Sequence, residues 1–243
     1  MISGDYSNIT VNNSNFTGNK DAIAIMVNRW HLIIHNSSFE NFTSKNGAVI
    51  NFKGDRFELV NSRFINVHFN LSGGSIPAIY CRLDIGDYIN PCYIETGPII
   101  IKDCEFTNLS CGNDGGAIHI DLDSASHHIP KIMNIIGSNF TDCRSMYGGA
   151  ISILGGNLNI STSNFKNNYA GFEGGAIYSS WTNLSIANSN FKNNTGGQNA
   201  GALYFDKGKL TIKGSDFIGN KAIKESNMSA NTIYAYDVEA YFS

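Results

Sequence analysis

Charge is scarce in this chain. Asp, Glu, Lys and Arg make up 15% of its 243 residues, against about a quarter in an ordinary soluble domain. The 17 Lys and Arg face 20 Asp and Glu, for a net charge of −3. Phosphate binding needs a clustered basic excess, so no nucleic-acid partner is expected. Proline is limited to four residues, which excludes collagen-like and proline-rich linker compositions. No apolar run approaches the ~18 residues of a membrane span. The start, Met1-Ile2-Ser3-Gly4-Asp5, has neither the basic nor the apolar region of a signal peptide. Leucine is also short, 11 residues against 31 isoleucines.

Asn and Gly are abundant, at 32 and 25 residues, and 42% of the chain is hydrophobic. Isoleucine favours the pleated strand, and Asn and Gly favour turns and left-handed backbone. The apolar content is too high for a disordered tail. An all-β chain with many tight turns follows.

Internal repetition decides the architecture. One phrase recurs eight times: Asn13-Ser14-Asn15-Phe16, Asn36-Ser37-Ser38-Phe39, Asn61-Ser62-Arg63-Phe64, Asp103-Cys104-Glu105-Phe106, Gly137-Ser138-Asn139-Phe140, Thr162-Ser163-Asn164-Phe165, Asn188-Ser189-Asn190-Phe191 and Gly214-Ser215-Asp216-Phe217. The Phe-to-Phe intervals are 23, 25, 42, 34, 25, 26 and 26 residues. A second phrase keeps step, as Gly115-Gly116-Ala117-Ile118, Gly148-Gly149-Ala150-Ile151 and Gly174-Gly175-Ala176-Ile177. Apolar segments such as Leu158-Asn159-Ile160 lie between the two. Three short strands per ~25 residues describe a β-solenoid, whose coils bury their apolar faces only against one another. Leucine-rich repeats share the period but need leucine and a helical stripe.

Alternation puts the Phe and the small residue two positions earlier on the inner face. Ser14, Ser37, Ser62, Cys104, Ser138, Ser163, Ser189 and Ser215 should form an internal ladder, with Cys104 a buried thiol. Two residues after Phe stand Asn41, Asn66, Asn108, Asp142, Asn167 and Asn193. They read as a corner ladder of left-handed residues joined by side-chain hydrogen bonds. The Gly-Gly pairs read as tight corners rather than a phosphate loop, since no Lys-Ser/Thr follows them.

Insertions fall near residues 81–98 and 119–131. The first holds Cys81 and Cys92, which could close a disulfide. Cys111 and Cys143 fall near one corner of adjacent coils and could form a second, although sequence cannot fix connectivity. No Cys pair has zinc-ligand spacing, and neither a metal nor a cofactor is expected. The second insertion opens on His119, Asp121 and Asp123, alternate residues of one strand facing outward. They could bind a divalent ion or act as acid and base, and are the best catalytic candidates, although polar residues are ordinary on an outer face. The same outward column reads Tyr80, His119, Ser152, Tyr178, Tyr204 and Tyr234. Its tyrosines are the candidate binding residues, a line of rings along which a sugar chain could lie; simple ring stacking is the plainer explanation. Twelve Asn-x-Ser/Thr sequons occur, many of them by-products of the Asn and Ser columns.

The paired Gly-Gly-Ala-Ile and Phe-x-x-Asn elements resemble the repeats of chlamydial polymorphic outer-membrane proteins. The latter element reads Phe16-Thr17-Gly18-Asn19, Phe165-Lys166-Asn167-Asn168, Phe191-Lys192-Asn193-Asn194 and Phe217-Ile218-Gly219-Asn220. The same residues are similar to adhesin-like surface proteins of methanogenic archaea. The resemblance runs from about Asn8 to Tyr234. It implies a right-handed single-stranded parallel β-helix with an extracellular or cell-surface adhesive role. Bacterial members carry a signal peptide and a C-terminal membrane barrel, which this sequence does not display. It starts and stops partway through a coil, so we expect a monomeric segment of a longer surface protein.

The expectation is thus one all-β domain over 1–243, a pectin-lyase-like solenoid of about nine coils. Its expected role is a non-enzymatic scaffold touching glycans or cell-surface proteins. The alternatives are a polysaccharide lyase or glycoside hydrolase of that β-helix type, and a purely mechanical stalk.

Overall fold

The computed structural model of the chain describes residues 2–5, 7–18, 24–44, 48–69, 78–82, 98–121, 132–224 and 231–243. All regular elements among them are β-strands, and every strand pairing is parallel. Among the described residues, no helix is long and apolar enough to cross a membrane. The strands form a β-solenoid with two sheets, of 14 and 13 strands. Eight stacked Phe rungs, from Phe16 to Phe217, enclose about seven turns. That is slightly fewer than the nine coils expected.

One coil shows how the period folds. Ile151–Leu154 and Asn157–Ser161 lie in the larger sheet, and Asn164–Lys166 and Tyr169–Glu173 in the other. The last of these, after the Phe strand, adds a fourth short segment to the three read from sequence. In four coils the first two segments merge across their corner, as Ile25–His35, Ile50–Val60, Leu203–Lys213 and Ile233–Phe242.

Each repeated residue has a structural task. The Phe rings stack inside with centroids 4.6–5.3 Å apart. The widest gap, 5.3 Å, separates Phe64 from Phe106, the pair flanking the longest interval. The Ser column solves a hydrogen-bonding problem at the corner, where the backbone N–H of one coil cannot join a ladder. Ser37 N–H donates to Ser62 Oγ at 3.1 Å and Ser163 N–H to Ser189 Oγ at 3.2 Å. Each hydroxyl in turn donates to the carbonyl two residues back, as Ser163 does to Ser161 at 2.8 Å. Buried backbone polar groups are costly unless paired, so Ser is retained at a position that apolar packing alone would give to Ala.

The corners take left-handed residues. Asn13, Asn36, Asn61, Asn41, Asn66 and Asn108 have φ between 47° and 61°. Their amides link coils, as in Asn61 Nδ2 to Asn36 Oδ1 at 2.8 Å and Asn108 Nδ2 to Asn66 Oδ1 at 2.9 Å. A second Asn column, three residues after Phe, points inward instead. Asn168 and Asn194 are fully buried, and their Nδ2 groups donate to the carbonyls of Phe140 and Phe165 at 3.1 and 3.0 Å. Their Oδ1 atoms accept the N–H groups of Cys143 and Asn168, each at 3.0 Å. At Gly148, φ is 62° and a β-carbon would collide with the Ile151 carbonyl, so the Gly-Gly corner tolerates no side chain.

The predicted bridge between Cys111 and Cys143 is not formed; both remain buried thiols, as does Cys104. Ser110 pairs with Arg144, which sets Cys143 opposite Leu109, two residues out of step with Cys111. Two residues along a strand and one strand across separate the Cα atoms by about 8 Å, beyond the ~7 Å a disulfide spans. Burial instead pushes the thiols of Cys104, Cys111 and Cys143 up to about 12, about 11 and about 12. Cys92 lies outside the described residues, as does the side chain of Cys81. The Cys81 backbone stands in the strand Ile79–Arg82, opposite Ile120.

Candidate functional site

Strand register assembles the predicted outward column. Tyr80 pairs with His119, His119 with Ser152, Ser152 with Tyr178, Tyr178 with Tyr204 and Tyr204 with Tyr234. The rings of Tyr178, Tyr204 and Tyr234 stack at 5.2 and 5.1 Å, tilted by only 7° and 9°. The side chain of Tyr80 lies outside the described residues. Stacking of this kind covers both faces of Tyr204 and one face each of Tyr178 and Tyr234, and turns edges and hydroxyls outward. Along the row the tyrosines therefore offer hydrogen-bonding tips rather than a continuous flat platform.

Two further columns flank this row. On one side run Asp114, Tyr147, Glu173 and Asn199, placed in line by strand pairing and isolated bridges at the end of the preceding segment. On the other run Asp121, Leu154, Ser180, Asp206 and Tyr236. Tyr147 meets Tyr178 edge-on at 5.4 Å. Asn199 Nδ2 donates to Glu173 Oε1 at 3.1 Å, and Ser180 Oγ to Asp206 Oδ2 at 3.3 Å.

The electrostatics follow from this crowding. Burial raises the Glu173 carboxyl above its ordinary range against the Asn199 hydrogen bond, with the Asp206 charge acting in the same direction as burial. Burial also raises the phenols of Tyr178 and Tyr204, aided by the nearby Glu173 and Asp206 charges.

His119 and Asp121 face outward on the strand Ile118–Asp121, as read from sequence. Asp123 lies outside the described residues. His119 is mostly covered, and burial lowers its imidazole against the fields of Asp114 and Asp121. Asp114, which sequence reasoning missed, thus acts on this imidazole together with Asp121. Among the described residues, no group of three His, Cys, Asp or Glu side chains is placed to hold a metal ion.

Sequence reasoning also missed Trp181. It is 68% exposed, at the corner beyond Ser180, with Lys207 Nζ 4.3 Å from the ring centroid. Elsewhere, two clefts of about 490 Å³ each run along the Asn ladders, the first mainly polar and the second, lined in part by Phe165, Phe191 and Ile218, mainly apolar. They take in none of the predicted site residues.

Comparison with protein-family models, with curated proteins and with solved structures finds no match.

Proposed function

We propose that the chain is a non-enzymatic, adhesin-like scaffold of the cell surface or extracellular space, whose outer face contacts neutral glycans or other surface molecules. The repeat resemblance supports the setting. The observation that carries the contact surface is the row of stacked Tyr178, Tyr204 and Tyr234, bracketed by Glu173 and Asp206. Phenols donate and accept, and carboxylates accept from sugar hydroxyls. Rigid aromatic side chains with polar tips also lose little entropy on binding. The same carboxylates repel an acidic polysaccharide, which disfavours a polyuronate-cleaving enzyme.

A second reading, glycoside hydrolysis, is favoured by one observation: His119 sits in the field of two carboxylates, Asp114 and Asp121. One experiment separates the two. The protein is applied to a glycan array and incubated with neutral and acidic polysaccharides, with and without calcium. The scaffold reading expects glycan retention that falls in Tyr178→Ala/Tyr204→Ala, with no release of reducing ends. Cleavage by the wild type that vanishes in Asp114→Ala/Asp121→Ala would replace it with the enzymatic one. No retention and no cleavage would leave a mechanical stalk.

A further inference from the structure

A wide aromatic stands at a left-handed corner of the backbone. The corner after the tyrosine strands has positive φ in four successive coils, at Gly155 (79°), Trp181 (56°), Lys207 (57°) and Asp237 (54°). A left-handed backbone crowds any β-carbon, and a wide aromatic is the least expected occupant. Core packing does not account for the ring, since Trp181 lies outside the buried cluster. Its N–H donates to the Asp206 carbonyl at 2.8 Å, which fixes the backbone. The Lys207 ammonium covers one ring face, an attraction between a cation and the indole quadrupole. With two thirds of the residue in solvent, the opposite face is open. Asp206 and the phenol of Tyr204 follow on the adjoining strand, and three residues of strand, about 10 Å, separate Trp181 from Tyr178.

Resting on the glycan reading above, we propose that Trp181 is the stacking platform of a subsite for one pyranose ring of a neutral glycan. The C–H face of the sugar lies on the open indole face. Asp206 accepts hydrogen bonds from hydroxyls of the adjoining sugar, and the Tyr178–Tyr204 row continues the path. The tyrosine row supplies no such platform along its length, because stacking covers both faces of Tyr204 and one face each of Tyr178 and Tyr234.

The chain has two tryptophans, so in a Trp30→Phe background Trp181 is the sole indole reporter. That protein is titrated with tetrasaccharides of β-1,4-glucose, β-1,4-mannose, β-1,3-glucose and β-1,4-N-acetylglucosamine, and with tetragalacturonate. The expected result is a saturable shift of indole emission with a neutral sugar. In the otherwise native protein, Trp181→Asn weakens array binding of that sugar about tenfold or more, without lowering the melting temperature. Glycan retention that is unchanged in Trp181→Asn, with no emission change, overturns the platform and leaves the glycan reading standing. A wild type that retains no glycan overturns both. Tighter binding of tetragalacturonate than of every neutral sugar overturns the neutral assignment.

Discussion

Trp181 holds a backbone conformation that costs an L-residue roughly 1 kcal/mol or more, and most of its surface stays in water. Asn tolerates that conformation. Trp181→Asn is therefore expected to raise stability by about 1 kcal/mol in urea unfolding, apart from any effect on binding. A loss of stability would mean that the Lys207 contact outweighs the strain. Histidine protonation gives a second test at this scale. Burial lowers His119, against Asp114 and Asp121, and burial lowers His68. Between the unfolded value of 6.5 and the lower folded values, the unfolded chain binds more protons. Stability is thus complete above 6.5 and falls as pH drops through that window. Glu173, raised in the fold, acts with the opposite sign above its unfolded value of 4.5. The histidine effect should be read in a Glu173→Gln background. There, melting temperature should fall between pH about 7 and about 5, and His68→Gln/His119→Gln should flatten the slope.

At the scale of the strand and its ladders, two Asn columns look alike in sequence and differ in energy. Asn190 lies on a further exposed ladder, one residue before Phe, and donates to Asn164 Oδ1 at 2.8 Å. Asn194 is buried and serves the Asn168 N–H and the Phe165 carbonyl. Asn194→Leu orphans both groups and should cost about 3 kcal/mol or more. Asn190→Ala should cost no more than about 0.5 kcal/mol. Urea unfolding of the two variants checks this, and equal effects would show that burial does not separate the ladders. The Phe, Ser and corner-Asn columns were legible because each is local and repeats at fixed distance from Phe. The tyrosine row was legible because alternation carries it from the Ala-Ile phrase. The Asp114–Tyr147–Glu173–Asn199 column was not, since its members share no residue type and lie across the Gly-Gly corner from the row they flank. Trp181 was hidden for the same reason, because its corner holds Gly, Trp, Lys and Asp in turn. The Cys111–Cys143 pairing fails on a count that was available: the two stand five and three residues after their respective Phe.

For the whole molecule, the consequence lies in the equality of the last intervals. Phe165, Phe191 and Phe217 are each 26 residues apart, and Asn164 and Asn190 occupy the same rung position. Excising residues 165–190 would join Asn164 to Phe191 and set Phe140 against Phe191 and Cys143 against Asn194, while Ser138 keeps its partner Ser163. Each new pair repeats one already present, so the shortened chain should fold with unchanged far-ultraviolet dichroism and somewhat lower stability. Removing half as many residues should abolish cooperative unfolding, because it would place outward residues in the core. The solenoid behaves in this respect as a one-dimensional crystal. Its unit cell is a coil, its symmetry operation is a step of about 4.8 Å along the axis, and its termini are crystal faces. Whole cells can be added or lost without a defect, whereas a fractional insertion is a dislocation. Length is thus a free parameter of this architecture, on which duplication within the coding sequence could act while the chemistry of each rung stays constant.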